Sequence, residues 1–214
     1  MIFKDRKDAG RRLLPKIKHY KEDPKAIVLG LPRGGVVLAN EIAQGLGLTL
    51  DVVVPRKIGS PFNHEFAIGA IAEDGEGIFD QQTISTYGIS QDYIKKEVEK
   101  EKAEAERRLK LYRGSRPVLK LKGKTAILVD DGVATGSTML AAIKSAKYRG
   151  AEKIVVAAPV IAQDSLKKIK KEADEIIYLQ APSFFAAVGA FYEIFNQTED
   201  AEVIEIMKKS KKQK

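Results

Sequence analysis

Five short apolar runs constrain this chain more than any other feature: AIVLGL (26–31), LDVVVP (50–55), TAILVDD (125–131), KIVVAAP (153–159) and EIIYL (175–179). None alternates apolar with polar residues, so each predicts a strand covered on both faces. Helical patterns separate most of them, over Val36 to about Leu46, about Ser137 to Tyr148 with Gly150 as a stop, and about Asp164 to Lys171. Strands joined by helical crossovers close into right-handed parallel units. The expectation is an α/β fold, an about five-stranded parallel sheet with helices on both faces. In such sheets ligands bind beyond the carboxyl ends of the strands. Both glycine-rich turns of the chain, LPRGGV (31–36) and DDGVATGST (130–138), leave a strand at that end.

The other segments decorate this core. Ala9, Leu13, Ile17 and Tyr20 recur at helical spacing, which predicts an amphipathic helix over Asp5 to Tyr20 that Pro15 should kink or divide. FAIGAIAEDGEGIF (66–79) reads as two short strands joined around a turn at Glu73 to Gly77, a β-ribbon within a longer excursion over 56–89. Ser90 caps a helix with Ile94, Val98, Ala105, Leu109 and Tyr112 on one face and dense Lys and Glu on the other, the pattern of a solvated surface helix.

The net charge of +8 invites a nucleic-acid partner, but the five lysines of KKSKKQK carry most of it and leave +3 elsewhere. A disordered, solvated tail over 208–214 accounts for that run, and nucleic acid is not expected as a partner. No apolar run approaches the roughly 18 residues of a membrane span. The start, MIFKDRKDAGRRLL, lacks the order of a secretory signal, so a cytoplasmic protein is expected. With no cysteine, disulfides, thiolate metal sites and a Cys nucleophile are excluded.

The densest chemistry lies in ILVDDGVATGSTM (127–139). Ala134, Thr135, Gly136, Ser137 and Thr138 stand where a strand passes into a helix, so main-chain N–H groups and the positive helix end converge on an anion. Hydroxyls of Thr135, Ser137 and Thr138 add donors suited to a phosphate monoester. Asp130 and Asp131, just upstream, are too acidic to face that phosphate; they call for hydroxyl donors or a cation. A sugar phosphate meets both demands. A P-loop would need G-x-x-x-x-G-K-[ST] and a dinucleotide fold G-x-G-x-x-G after the first strand, and neither is present.

These residues resemble the phosphoribosyl-pyrophosphate signature of the type I phosphoribosyltransferases, in which apolar residues, two acids and a T-G-x-T loop occur in this order. LPRGGV resembles that family's pyrophosphate loop, where a basic residue and a glycine, here Arg33 and Gly34, share a strained and sometimes cis peptide. VVVPRKIGSP (52–61) resembles the point where an Arg-Lys pair opens the catalytic loop. The PRGG, RKIG-x-P and AIGAIAEDG pieces together are closest to predicted phosphoribosyltransferases of unassigned substrate. The resemblance implies one domain over 1–214, with a core at about 26–180, the 56–89 excursion as a flexible loop or lid, and a small hood from the N-terminal helix and about 181–207.

It also implies roles. Arg33, Gly34, Gly35, Arg56 and Lys57 would meet the pyrophosphate, with Arg33 and Lys57 stabilising the departing charge. Asp130 and Asp131 would hold the ribose 2′- and 3′-hydroxyls, directly or through Mg²⁺, and residues 134–138 the 5′-phosphate. The implied reaction moves a 5-phosphoribosyl group from phosphoribosyl pyrophosphate to a nitrogenous acceptor, a nucleobase by preference, and a homodimer is implied too. Ala134 stands where some purine enzymes carry a proton-handling acid, which disfavours a 6-oxopurine enzyme of that kind. His64 and Glu65 read as an ordinary polar loop before loop catalysts or metal ligands, and Phe184 and Phe185 as core before ring-stacking residues. The alternative function is a non-catalytic sensor of phosphoribosyl pyrophosphate or a nucleotide; a third, weaker one is phosphate-ester hydrolysis at the two acids.

Overall fold

The computed structural model describes residues 1–64, 66–71, 77–114, 116 and 119–210. In chain order the elements are α1 (Arg6–Ile17), β1 (Ala26–Gly30), α2 (Gly34–Leu46), β2 (Thr49–Val52), β3 (Arg56–Gly59), β4 (Ala67–Ile71), β5 (Gly77–Phe79), α3 (Gln81–Thr86) and α4 (Gln91–Arg113). They continue with β6 (Thr125–Val129), α5 (Ser137–Tyr148), β7 (Lys153–Val160), α6 (Gln163–Ile169), β8 (Glu175–Gln180) and α7 (Asp200–Ser210).

The five apolar runs form one parallel sheet in the order β2-β1-β6-β7-β8. Successive side chains of a strand point to opposite faces, and here both faces are apolar. Val28, Ile127, Val129, Val155 and Ala157 enter a core shared with α1, α2, α4 and α7. Ile27, Leu29, Ala126, Leu128, Ile154, Val156 and Ala158 enter a second core under α5 and α6. That two-sided burial is the reason none of these strands shows polar alternation. The chain runs from β1 outward to β2 and later returns to place β6 on the other side of β1, so the β1/β6 boundary is the switch point of the sheet. The LPRGGV turn and the acid loop leave it side by side.

Several expectations are corrected. Pro15 does not divide α1, which runs unbroken from Arg6 to Ile17. It sits in the last turn, where the one N–H it removes costs a single intrahelical bond. The expected helical face of Ala9, Leu13, Ile17 and Tyr20 is buried. The 56–89 excursion holds a three-stranded antiparallel sheet, β3-β4-β5, with RKIG as its first strand rather than an opening loop. Ile58, Ile68 and Ile71 of that sheet pack with Ile84, Ile89 and Ile94 in a small core of their own. The turn expected at Glu73 to Gly77 falls, up to Glu76, outside the described residues. Lys208 to Ser210, assigned to a disordered tail, are the last residues of α7, and 211–214 lie outside the described residues.

α4 is more than a solvated helix. Its last residue, Arg113, is buried against Asp51 of the edge strand β2, with Nε 2.9 Å from Oδ1 and Nη2 donating to the Val52 carbonyl at 2.9 Å. Both side chains are at most 4% exposed. A charge stranded at such depth costs about 3–5 kcal/mol. Arg113→Met should therefore destabilise the protein by about that amount in urea unfolding, whereas Arg113→Met with Asp51→Leu should recover most of the loss.

Candidate functional site

The site is organised by how closely the turn after β1 approaches the loop after β6. A Cβ at Gly35 would lie 2.6 Å from the Val129 carbonyl oxygen and 2.8 Å from Asp130 Cα. At Gly34 it would lie 2.0 Å from Asp131 Oδ2. The Gly35 contacts are with main chain, so this glycine is what lets the start of α2 lie against the acid loop, whereas a side chain at Gly34 would displace the Asp131 and Arg6 side chains. The cis peptide of this turn is Pro32–Arg33, one residue before the expected Arg33–Gly34 pair.

Asp130 accepts from the Asp131 main-chain N–H at 2.9 Å. Burial pushes the Asp130 carboxyl well above the usual carboxylate range, and the neighbouring Asp131 charge adds to the effect. Asp131 is held differently: Arg6 Nε lies 2.7 Å from its Oδ2, and the Tyr192 hydroxyl donates to its carbonyl at 2.5 Å. Burial and the Asp131 charge push the Tyr192 hydroxyl upward too, so it stays a donor.

The hydroxyl-rich loop follows at once. Gly136 adopts the left-handed conformation (φ 80°) that precedes α5 and offers no side-chain cap, while the Ser137 N–H donates to the Thr135 hydroxyl oxygen at 3.5 Å. Ala134, Thr135 and Thr138 are exposed, and the Thr135 hydroxyl donates to Ser137 Oγ at 3.3 Å. From behind, the buried Ser165 of α6 donates to the Ala134 carbonyl at 2.5 Å and would stand 3.2 Å from a Cβ at Gly136.

Beside this loop lies a cavity of about 440 Å³, lined by Leu31 and Pro32, by Arg56 and Lys57, by Thr138, and by His64 with the α4 residues Glu97, Lys100, Glu101 and Arg108. The chain thus brings together the ends of β1 and β2, the start of α5 and the inner face of α4. Lys57 and Ala141 also border a smaller basic cavity of about 330 Å³ with Ser137, Lys144, Lys168 and Lys171.

The expected cations are not all presented alike. Arg56 Nε donates to Glu101 at 2.5 Å, so α4 holds it against the cavity wall. Arg33 points away, with Nη1 3.7 Å from Glu199 Oε2, and does not line the cavity. His64 is exposed at the cavity rim, whereas Glu65 lies outside the described residues. Phe184, expected as core, is 83% exposed, because it stands in the irregular segment that follows β8. Phe185 is partly buried against Phe191, with ring centres 5.1 Å apart. Arg6, Tyr192, Glu101 and Ser165 were missed by sequence reasoning, since each reaches the site from an element whose pattern speaks only of helix or hood.

A model of the phosphoribosyl transferase domain matches residues 2–193. A Mycobacterium tuberculosis protein named "Putative phosphoribosyl transferase Rv0571c" is 40% identical over 203 residues, which cover 95% of this chain and 46% of that protein. The chain thus spans about half the length of the curated relatives it matches. Among solved structures, TT1426 from Thermus thermophilus superposes with a TM-score of 0.89 at 40% identity, covering 97% of this chain and 98% of that one. The AQ2163 protein from Aquifex aeolicus, at 12% identity and a TM-score of 0.51 over 86% of this chain and 78% of its own, shares the fold.

Because the folded protein holds a proton on Asp130 more tightly than the unfolded chain does, stability falls as pH rises from the ordinary carboxylate range through the raised pKa. In chelator-treated protein, Asp130→Asn should melt above the wild type at pH 7, and the gap should close as pH falls below about 3, where both states carry the proton. Calorimetric melting across that range checks the sign.

Proposed function

The chain belongs to the phosphoribosyl transferase domain family, and from that premise we propose that it moves the 5-phosphoribosyl group from phosphoribosyl pyrophosphate to a nitrogenous acceptor, a nucleobase by preference, with release of pyrophosphate. One observation carries the reading: an acid pair and a hydroxyl-rich helix start follow β6 at the carboxyl edge of one parallel sheet, at its switch point, and Thr138 of that helix start lines a cavity bordered by Arg56 and Lys57.

In this reading the 5′-phosphate rests on residues 134–138, where the main-chain N–H groups at the start of α5 and the hydroxyls of Thr135, Ser137 and Thr138 donate to it. The ribose hydroxyls donate to Asp130 and Asp131. The pyrophosphate extends past Gly34 and Gly35 toward Arg56 and Lys57, which stabilise charge as the C1–oxygen bond breaks. The acceptor nitrogen forms the new bond at C1 from the opposite face, so the configuration inverts. With the sugar gripped at both ends, most of the rate gain comes from positioning.

Mg²⁺ fits the donors present, because it is commonly held by one or two carboxylates together with substrate phosphates. Asp130 and Asp131 are adjacent in the loop after β6, and among the described residues no cluster of three or more His, Cys, Asp or Glu offers a complete protein cage. When bound, the ion would neutralise pyrophosphate charge.

Arg33 favours a second reading. Its engagement by Glu199 leaves the pyrophosphate side with one expected cation turned away, as a non-catalytic sensor of phosphoribosyl pyrophosphate would tolerate.

Asp130→Asn combined with Asp131→Asn should weaken phosphoribosyl pyrophosphate by more than about 100-fold, given about 1.5–3 kcal/mol for each hydrogen bond to a charged group. Titration calorimetry with Mg²⁺ tests this, and unchanged affinity would refute the site. A panel of nucleobases and small amines with labelled phosphoribosyl pyrophosphate should give pyrophosphate release with at least one acceptor. Tight binding with no release across the panel would favour the sensor.

A further inference from the structure

Asp131 is gripped from outside the sheet, by residues that belong to no phosphate or pyrophosphate motif. Arg6, in the first turn of α1, places Nε 2.7 Å from Asp131 Oδ2, and its Nη1 donates to the Asn196 carbonyl at 2.7 Å. The guanidinium carbon lies 4.0 Å from the centre of the Phe195 ring. Phe195 stacks on Tyr192, with centres 4.9 Å apart and planes 30° from parallel. The Tyr192 hydroxyl returns to Asp131, at its main-chain carbonyl. The contacts close a ring that begins and ends on Asp131 and holds it by both side chain and backbone.

The ring depends on two further features. A Cβ at Gly34 would meet both partners of the ion pair, at 2.0 Å from Asp131 Oδ2 and 2.7 Å from Arg6 Nε, so this glycine leaves the gap in which the pair forms. Main-chain bonds from Phe3 N–H to the Phe191 carbonyl (2.9 Å), from Glu193 N–H to the Phe3 carbonyl (2.8 Å) and from Ile194 N–H to the Lys4 carbonyl (3.0 Å) fasten the chain before Arg6 to the segment that carries Tyr192 and Phe195. The ion pair is 13% and 14% exposed, deep enough to resist salt screening.

We propose that Arg6 and Tyr192 are positioning residues for Asp131: a clamp that fixes the carboxylate by Oδ2, leaves Oδ1 outside the ion pair for a ribose hydroxyl, and offsets one of two adjacent negative charges where an anionic sugar phosphate must enter. The proposal rests on the ribose role given to Asp131 above. Without Arg6, two neighbouring carboxylates would face a polyanionic ligand with no fixed cation on their own side, and Asp131 would be free to turn. Neither Arg6 nor Tyr192 needs to touch the reacting atoms.

The test is a set of calorimetric titrations of the full chain with phosphoribosyl pyrophosphate and, separately, inorganic pyrophosphate. Arg6→Gln should weaken phosphoribosyl pyrophosphate by about 10- to 100-fold, by analogy with the loss of a group that orients a metal-ligating side chain, and leave inorganic pyrophosphate unchanged. Arg6→Lys, which restores the charge without the planar fork, should recover part of the loss. Tyr192→Phe keeps the ring stack and removes only the bond to the Asp131 carbonyl, so it should fold normally and show a smaller loss of the same selectivity. If Arg6 acts through Asp131, Arg6→Gln should cost nothing more in an Asp131→Asn background. Full additivity of the two, or equal weakening of inorganic pyrophosphate, would overturn the clamp. Loss of binding in Asp131→Asn with wild-type affinity in Arg6→Gln would overturn the clamp alone, whereas unaltered binding in Asp131→Asn would remove the ribose assignment beneath it.

Discussion

The approach of the PRGG turn to the acid loop is the constraint on which the rest of the site depends. At the switch point between β1 and β6, two chain segments leave adjacent strands in the same direction, and ordinary side chains would force them apart. Gly35 removes that barrier against the main chain of Val129 and Asp130, and Gly34 leaves room for the side chains of Asp131 and Arg6. A rigid sheet buried on both faces makes the approach reproducible, because its strands have no room to slide without exposing apolar side chains. The cost falls on Asp130, whose carboxyl is pushed toward its protonated form by burial first and by the neighbouring Asp131 charge second.

The surroundings of the acids are divided between opposing charges. Arg6 offsets Asp131 from α1, and the start of α2 lies against both acids. Across the cavity, Glu101 of α4 does the converse by holding Arg56. The site thus consists of preassembled charge pairs at its rim and a neutral, donor-rich loop at its centre. Pairing each charge in this way keeps the site from being strongly self-repelling.

Much of this was legible before any coordinates. The five strands, their parallel order of burial and the helices between them followed from unbroken apolar runs and helical spacing. The loop at Ala134 to Thr138 and the acids before it stand where strand-to-helix punctuation put them. What escaped has a common cause. The strand Arg56–Gly59 carries two cations and a glycine and looks like a loop until β4 pairs with it. α7 draws its apolar residues Val203 and Met207 from a charged stretch and owes its place to packing in the core shared with α2 and α4. Phe184 has the composition of core and the position of an irregular segment.

The sequence by itself determined the sheet, the two loops at its carboxyl edge and the family to which they belong, because apolar periodicity and glycine-hydroxyl motifs are local properties of the chain. Only the tertiary structure decided which charges face which. Arg33 was directed to Glu199, Arg56 to Glu101 and Arg6 to Asp131, the last across 125 positions of sequence. Ion pairing acts over a few ångströms, and distance along a chain carries no information about it until the chain has folded.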